Sequence, residues 1–466
     1  MATTVARIAF YAFLIWVPIP LGSNRPVFWA INAGVVLVIF LVLFLGGRAR
    51  LPSTARRTLT LLIVPSLVLV AWMLIQAMPW TPDSLHHPAW SEFGVAADGA
   101  ISANPGGTFT AALQFLTVAL AGIIAARLSM SGRRSFGVLR AIIASASVVA
   151  VWGLVAVAID SPPSLFGETG NEGGLVTSFF INRNTAATFL AIGLVAALAV
   201  VLMRVRASDG SGGRMAAIAD LPRLVGPMLA VVVLLGVALV ATGSRAGVIA
   251  GTLGTLVTFL VGWRSRAWIP QAVIGVALLV IGGAVLLFGT SSDTLFQRLG
   301  DLEISEEPRW EVYRDTMHAI LDRPILGHGA GTFADFYPLY HGTETPSTGI
   351  WLQAHNTYLQ AAAELGLPVF AAAVIVVLLF VVLCFRAARR RSEPATLAAV
   401  GAAVVVAVHS FFDFSLQIEA VAILFAATLG SGVAVAALKR THASQGHAAS
   451  PERQYESYGV LPESLS

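Results

Sequence analysis

The chain has 466 residues, of which 56% are hydrophobic and 12% are charged, and its formal net charge is +4 at pH 7. Soluble globular domains carry about 25% charged residues, so the composition excludes an ordinary soluble domain. The only cysteine, Cys384, excludes a disulfide framework and a thiolate metal cluster. These properties predict a membrane protein built from apolar helices.

Long apolar stretches recur along the whole chain. A helix needs about 20 apolar residues to cross about 30 Å of hydrocarbon. The predicted fold class is an all-α polytopic membrane protein with about 12 transmembrane helices. The predicted spans are residues 7–22, 27–46, 59–77, 108–126, 138–158, 185–203, 224–242, 246–262, 269–289, 356–384, 396–412 and 417–437.

The basic residues predict the orientation of these spans. Cytoplasmic loops are enriched in Lys and Arg, and with the N-terminus inside, 22 of the 29 Lys and Arg residues fall on the inner side. Both termini are therefore expected in the cytoplasm of a bacterial inner membrane, with the lipid bilayer around the helices. The basic residues form no stripe that would follow a nucleic acid, so no nucleic-acid partner is expected.

The chain is predicted to form one membrane domain, residues 1–437, followed by a polar, disordered cytoplasmic tail, residues 438–466. Its unusual segment is the large outer loop, residues 290–355, between the ninth and tenth spans. Loops of this length are usually functional or disordered.

Within that loop, "SEEPRWEVYRDTMHAILDRP" predicts a helix. Ser305 can cap it, Glu306 and Glu307 suit its N-terminal end, and Pro324 follows its end. Such a helix would lie on the membrane surface or cap a cavity between the spans. Its apolar side chains are predicted on one face: Trp310, Tyr313, Met317, Ile320 and Leu321.

Arginines are the candidate anion-binding groups on the outer side. Residues 291–352 hold ten acids against four arginines, so an anion site there must use particular arginines. Arg245 in "GSRAG" is the first candidate, because small neighbours allow close approach, although it can also extend to lipid headgroups. Arg309 and Arg314 lie about 140° apart around a helix and cannot grip one phosphate from the same face. Both can instead be solvated partners of nearby acids.

His355 is the candidate general base, because imidazole titrates near neutral pH. A histidine at a helix mouth can equally be a cap or interfacial residue, and Asn356 can be a simple cap. Glu364 lies nine residues on, half a turn out of phase, and cannot orient His355 directly. The segment "FDFSLQIEA" is interpreted as an outer turn with Asp413 and Glu419 solvated, and His409 as a satisfied polar residue of the bundle.

Common catalytic motifs are missing from the sequence. It contains no HExxH metal-ligand spacing, no P-loop, no GxSxG elbow and no Asp-x-Asp pair in an outer loop. No metal and no cofactor are expected.

Taken together, "NRN", "GSRAG", an Arg pair five residues apart, "LGHGAGTF", "HNTYLQAAAELG" and "HSFFDFSLQIEA" resemble, in order, the O-antigen ligase and polymerase-like family of bacterial polysaccharide enzymes. The resemblance covers about residues 175–430.

The resemblance implies a metal-independent membrane glycosyltransferase, similar to type-C glycosyltransferases. Its donor would be an undecaprenyl-diphosphate-linked glycan and its acceptor a glycan or lipid, on the periplasmic side. By the same resemblance, Arg245, Arg309 and Arg314 would grip the diphosphate, and His355 would position or deprotonate the acceptor hydroxyl for an inverting attack. The supporting residues would be Asn182, Asn184, Asn356, Tyr358 and Glu364.

Several alternatives remain open. Ligase and polymerase share the donor and differ in the acceptor, and transfer to a protein hydroxyl is a third reaction; other polysaccharide-assembly proteins are candidate partners. The "NRNTAATF" and "DFSLQIEA" segments favour a polymerase-type member. A transporter or lipid-linked sugar flippase is the alternative from another class. Such proteins commonly show repeated halves and ionisable residues near the midplane, and the sequence shows neither.

Overall fold

A computed structural model describes residues 2–46, 52–92, 99–130, 132–159, 174–208, 214–262, 307–342, 351–390 and 393–438. In these ranges the regular elements are all helices. We number the α-helices α1 Ala2–Trp16, α2 Pro26–Leu45, α3 Ser53–Ala77, α4 Ala89–Glu92, α5 Pro105–Ser129, α6 Gly132–Ala158, α7 Arg183–Ser208, α8 Arg214–Ala241, α9 Arg245–Gly262, α10 Glu307–Asp322, α11 Phe333–Phe336, α12 Thr357–Leu365, α13 Leu367–Arg390, α14 Pro394–His409 and α15 Glu419–Ala437. Short 3-10 helices lie at Leu21–Ser23, Asp83–Leu85, Tyr337–Leu339 and Ser415–Gln417.

The helices confirm a multi-pass membrane protein. Eight of those described are long and apolar enough to cross a bilayer, namely α2, α3, α5, α6, α7, α9, α13 and α15. α1, α14 and the Val225–Ala241 part of α8 are shorter apolar helices. Each of these overlaps a predicted span, and the remaining predicted span, residues 269–289, lies outside the described residues. The count of twelve therefore stays a prediction.

Helix α7 is the centre of the bundle. Its apolar stretch is entirely buried, whereas only 6% of the corresponding stretch of α13 is buried. Helices α6, α8, α9 and α14 pack around α7. Small residues allow close helix approach: a Cβ added at Gly430 of α15 would lie 2.2 Å from the carbonyl oxygen of Gly122 in α5.

The predicted helix that starts at residue 356 is wrong as one continuous span. The chain forms the short helix α12, turns at Gly366 and restarts as α13. Gly366 has φ +80°, and a Cβ there would lie 2.1 Å from the carbonyl oxygen of Ile325. The amide of Leu367 donates instead to the carbonyl oxygen of Pro324 at 2.7 Å. Tertiary contact with the preceding loop therefore breaks the apolar run.

A helical cap covers one end of the bundle. We define the cap as residues 78–92, 99–104, 307–342 and 351–356. Its helix α10 ends at Asp322, two residues before Pro324, as predicted, whereas the predicted cap Ser305 lies outside the described residues.

The predicted apolar face of α10 lies mostly outside the cap core. Ile320 is buried in the cap core, while Trp310 and Leu321 are 67% and 66% exposed. The helix packs on α12 with Val312 and Ala319. It therefore has a second apolar stripe that faces away from the cap core.

Arg323 joins the two loops of the cap. Its guanidinium donates to the carbonyl oxygens of Leu85, His86 and Gly327 at 2.9–3.1 Å. Nearby, the rings of His87 and His328 are hydrogen-bonded, with 2.8 Å between Nε2 and Nδ1. This outer arginine therefore has a structural role that the sequence did not reveal.

Candidate functional site

The N-terminal ends of α7 and α9 meet through the "NRN" and "GSR" segments. The hydroxyl of Ser244 donates to Asn184 Oδ1 at 2.7 Å, and the amide of Asn184 donates to Asn182 Oδ1 at 2.7 Å. Ser244 Oγ also accepts from the amide of Gly247 at 3.2 Å, which caps α9. The two asparagines therefore fix the place where Arg245 begins its helix.

Arg245 is the first residue of α9, and its side chain is exposed. Its guanidinium forms no hydrogen bond or ion pair with the part of the chain that the structure describes. A helix N-terminus carries partial positive charge. Arg245 thus adds a full charge at a position that already favours an anion.

Arg309 and Arg314 point to different surroundings, as their helical spacing predicts. Arg314 Nε lies 3.5 Å from Asp315 Oδ1, and its side chain is half exposed. The same carboxylate accepts from the Tyr337 hydroxyl at 3.4 Å. Arg309 is half-buried and acts electrostatically on His355. The structure therefore separates an acid-paired arginine from one that lies beside the histidine.

His355 is held in place just before α12. Its backbone is in the left-handed region, with φ +53°, and its carbonyl oxygen accepts from the Tyr313 hydroxyl at 3.0 Å. The rings of Trp351 and Phe414 flank the imidazole edge-on, with centroids 5.5 and 4.8 Å away. Nδ1 is buried and lacks a hydrogen-bond partner among the described residues.

Burial favours the neutral form of His355. Burial lowers the pKa of His355, the carboxylate of Asp413 raises it, and Arg309 lowers it, with a net lowering. A neutral imidazole has one free lone pair and can accept a proton. His355 can therefore act as a base near neutral pH.

Asp413 and Glu419 are not solvated, so that prediction is wrong. The chain after α14 folds back as the 3-10 helix Ser415–Gln417, which packs on α7 and α15 and buries both acids. Asp413 Oδ2 accepts a short hydrogen bond from Ser415 Oγ, and Oδ1 has no described partner. Glu419 Oε2 accepts from Asn32 Nδ2 at 2.7 Å. The signal in the sequence was the placement of Asp413 between aromatic residues.

The glycine-rich segment, residues 327–331, is a structural element. Its three glycines all have positive φ. All five backbone amides are occupied, by the carbonyl oxygens of Arg323, Ala363 and Glu364 and by the side chains of Gln76 and Glu364. A phosphate would find no free amide in this loop.

The remaining predicted supporting residues also act structurally. Asn356 caps α12 by accepting from the amides of Tyr358 and Leu359. The Tyr358 hydroxyl donates to the carbonyl oxygen of Ala407 at 2.8 Å. Burial raises the pKa of Glu364 to about 7, and Glu364 Oε1 accepts from Gln360 at 2.9 Å. These contacts attach the start of α12, which follows His355 directly, to α14 and to the cap.

Among the described residues, no group of three His, Cys, Asp or Glu side chains is arranged to hold a metal ion. The ionisable groups that come together are His355, Asp413 and Arg309. The fold and site thus define a multi-pass membrane protein with a histidine, carboxylate and guanidinium cluster at the capped end.

Residues 230–374 match the family model described as O-antigen ligase. This match confirms the resemblance to an O-antigen ligase and polymerase-like family, which suggests membrane glycan transfer in polysaccharide assembly. The matched residues are under half of the chain and include Arg245, Arg309, Arg314 and His355, whereas Asp413 lies beyond them. A comparison with curated proteins found no match.

Proposed function

We propose that the protein is a glycosyltransferase that moves a glycan from an undecaprenyl-diphosphate donor to a hydroxyl of a glycan or lipid acceptor. The site would face the periplasm of a bacterial inner membrane, with both termini cytoplasmic and a type-C-like fold. The observation that carries the proposal is the juxtaposition of His355, Asp413 and Arg309, within a chain whose residues 230–374 match the O-antigen ligase family.

His355 would act as the general base. Its Nδ1 and the Oδ1 of Asp413 are both buried and have no hydrogen-bond partner among the described residues, and the Asp413 charge acts on the imidazole. An Nδ1–H directed at Asp413 leaves Nε2 with the lone pair. Nε2 would take the proton of the acceptor hydroxyl while the hydroxyl oxygen attacks the anomeric carbon. Attack from the side opposite the leaving diphosphate gives inversion.

The arginines would stabilise the leaving diphosphate. As the bond between sugar and diphosphate breaks, negative charge grows on phosphate oxygens, and guanidinium groups placed there lower the barrier. Arg309 acts on the base, and Arg245, at a helix N-terminus, has no partner among the described residues, so these two are assigned the diphosphate. Arg314 is assigned an auxiliary role because Asp315 already neutralises it. This chemistry requires no metal.

The test is the glycan profile of a deletion strain, with wild type, His355→Ala and His318→Ala restored separately. His318 is an exposed histidine of α10 and serves as the matched control. Lipopolysaccharide is followed on gels and secreted polysaccharide by size. We expect His318→Ala to restore long chains and His355→Ala to fail at equal protein level.

The same strains separate the two reactions. Loss of long chains with a single repeat left on lipid indicates polymerase, and intact chains left on undecaprenyl diphosphate indicate ligase. Full restoration of the wild-type profile by His355→Ala would contradict the proposal.

A further inference from the structure

A row of buried polar side chains continues behind Asp413, away from His355. Ser415 Oγ donates to Asp413 Oδ2, Thr188 Oγ1 donates to Ser415 Oγ at 2.9 Å, and His409 Nδ1 makes a short hydrogen bond with Thr188 Oγ1. All four residues are at most 5% exposed. They come from α7, α14 and the connection between α14 and α15, so the bundle must be assembled to form this row.

The direction of donation follows from the chemistry of each group. A carboxylate only accepts, and each hydroxyl has one proton to donate. Ser415 therefore donates to Asp413, and its oxygen accepts from Thr188. The Thr188 hydroxyl lies 2.9 Å from Ser415 Oγ and 3.2 Å from the carbonyl oxygen of Asn184, so the bond to Ser415 is the shorter one. With that proton directed at Ser415, Thr188 accepts the Nδ1–H of His409. His409 is then neutral with a bare Nε2, which is buried and lacks a described partner. Aligned donors of this kind strengthen one another.

We propose that Thr188, Ser415 and His409 are positioning residues for glycan transfer, which hold the Asp413 carboxylate oriented with its second oxygen toward His355. This inference rests on the proposed function and deepens it. None of the three residues touches substrate in this proposal. They act only through Asp413.

The charged groups around the pair are few. His355 is influenced by Asp413 and by Arg309 of α10, and Asp413 acts on both His355 and His409. The competent state has Asp413 charged and His355 neutral. Each hydrogen bond donated to Asp413 stabilises its charged form.

The hydroxyl of Thr188 gives a matched pair of variants. Thr188→Val keeps the volume and removes the donor, whereas Thr188→Ser keeps the donor. We expect Thr188→Val to lower kcat by up to about tenfold, the order expected for one lost hydrogen bond between neutral groups. KM for the donor should stay within about twofold, and Thr188→Ser should remain near wild type. If Thr188→Val folds poorly, Ser415→Ala serves as the second variant, because it removes only the hydroxyl that donates to Asp413.

The pH dependence separates positioning from a purely structural role. Without the Thr188 donor, Ser415 and the Asp413 carboxylate are held less firmly, so the effect of Asp413 that raises the pKa of His355 weakens. In the same variant His355 therefore becomes neutral at lower pH. A variant that merely loosens the fold would expose the imidazole, and the pKa of His355, which burial lowers, would then rise.

The His355 titration can be measured without any transfer reaction. Reaction of the purified full-length protein with diethyl pyrocarbonate, followed at the His355 peptide by mass spectrometry, reports the neutral imidazole. We expect the pH midpoint of this modification to fall in Thr188→Val and to stay at the wild-type value in Thr188→Ser. Equal midpoints in wild type, Thr188→Val and Ser415→Ala would overturn the inference. Transfer by a His355→Ala variant would instead overturn the proposed function, while the titration result would stand.

Discussion

Two neighbouring parts of the capped end carry sequence motifs, and they differ in how their polar groups are satisfied. In the glycine-rich segment, residues 327–331, every backbone amide has a partner within the protein. Around His355, by contrast, Nδ1 of the histidine and Oδ1 of Asp413 are buried without a partner among the described residues. Buried polar groups normally find partners. The satisfied amides show a motif that holds the fold, whereas the unsatisfied pair is consistent with the proposed role of His355 in transfer.

The largest expected effect is on the chemical step at the unsatisfied site. A general base contributes about 10²–10⁴ to the rate, so His355→Ala should lower kcat by that order. Asp413→Asn keeps the size of the side chain and removes its charge, and we expect it to lose about 10² or more. Transfer measured with purified enzyme and lipid-linked donor checks both. Equal activity of Asp413→Asn and wild type would remove Asp413 from the site.

The arginines should show a graded response. We expect Arg309→Ala to lower transfer by about 10²-fold and Arg314→Ala by less than about tenfold, because only Arg314 is already paired with an acid. Lysine in place of Arg309 should recover part of the loss, since it restores charge without the planar fork. Initial rates at saturating acceptor give this ratio. A larger loss for Arg314→Ala than for Arg309→Ala would reverse the assignment.

The satisfied region should respond in stability and not in chemistry. Gly366→Ala would force a side chain into positive φ and within 2.1 Å of the carbonyl oxygen of Ile325. We expect a loss of about 2–4 kcal/mol, the range of other strained or overpacked sites. The matched control is Gly34→Ala in α2, where nothing lies within 4 Å of the added Cβ. Thermal unfolding in detergent should separate the two, while KM of the surviving Gly366→Ala protein should be unchanged.

The sequence predicted the apolar helices and the family, because hydropathy and motif order are local properties of the chain. It missed the break at Gly366, since one glycine in a long apolar run carries no sign that Pro324 and Ile325 will contact it. It also missed the burial of Asp413, which depends on Thr188 and Ser415 from elements more than 200 residues apart. The candidate bases and arginines were identifiable by type, whereas their partners required the tertiary structure.

The smallest expected effect is a pH dependence confined to the cap. Burial is the main cause that lowers the pKa of His87 to about 3 and that of His328 to about 4, from 6.5 in each case. The hydrogen bonds agree, because the amide of Ala89 donates to His87, His87 to His328, and His328 Nε2 to the carbonyl oxygen of Ala319, which requires both rings to be neutral.

The two histidines of the unfolded chain take up protons below pH 6.5, whereas those of the folded cap do not. Their contribution to the free energy of unfolding is therefore complete above pH 6.5. It declines as the pH falls toward 4, by at most about 3 kcal/mol for His328. Hydrogen exchange of the cap amides between pH 7 and 4.5, corrected for intrinsic rates, measures this loss. His87→Gln keeps a donor for His328 and cannot titrate, so it should flatten the dependence, whereas His318→Gln on the exposed face of α10 should leave it unchanged. If His87→Gln retained the wild-type slope, the titrating group would have to lie elsewhere in the cap.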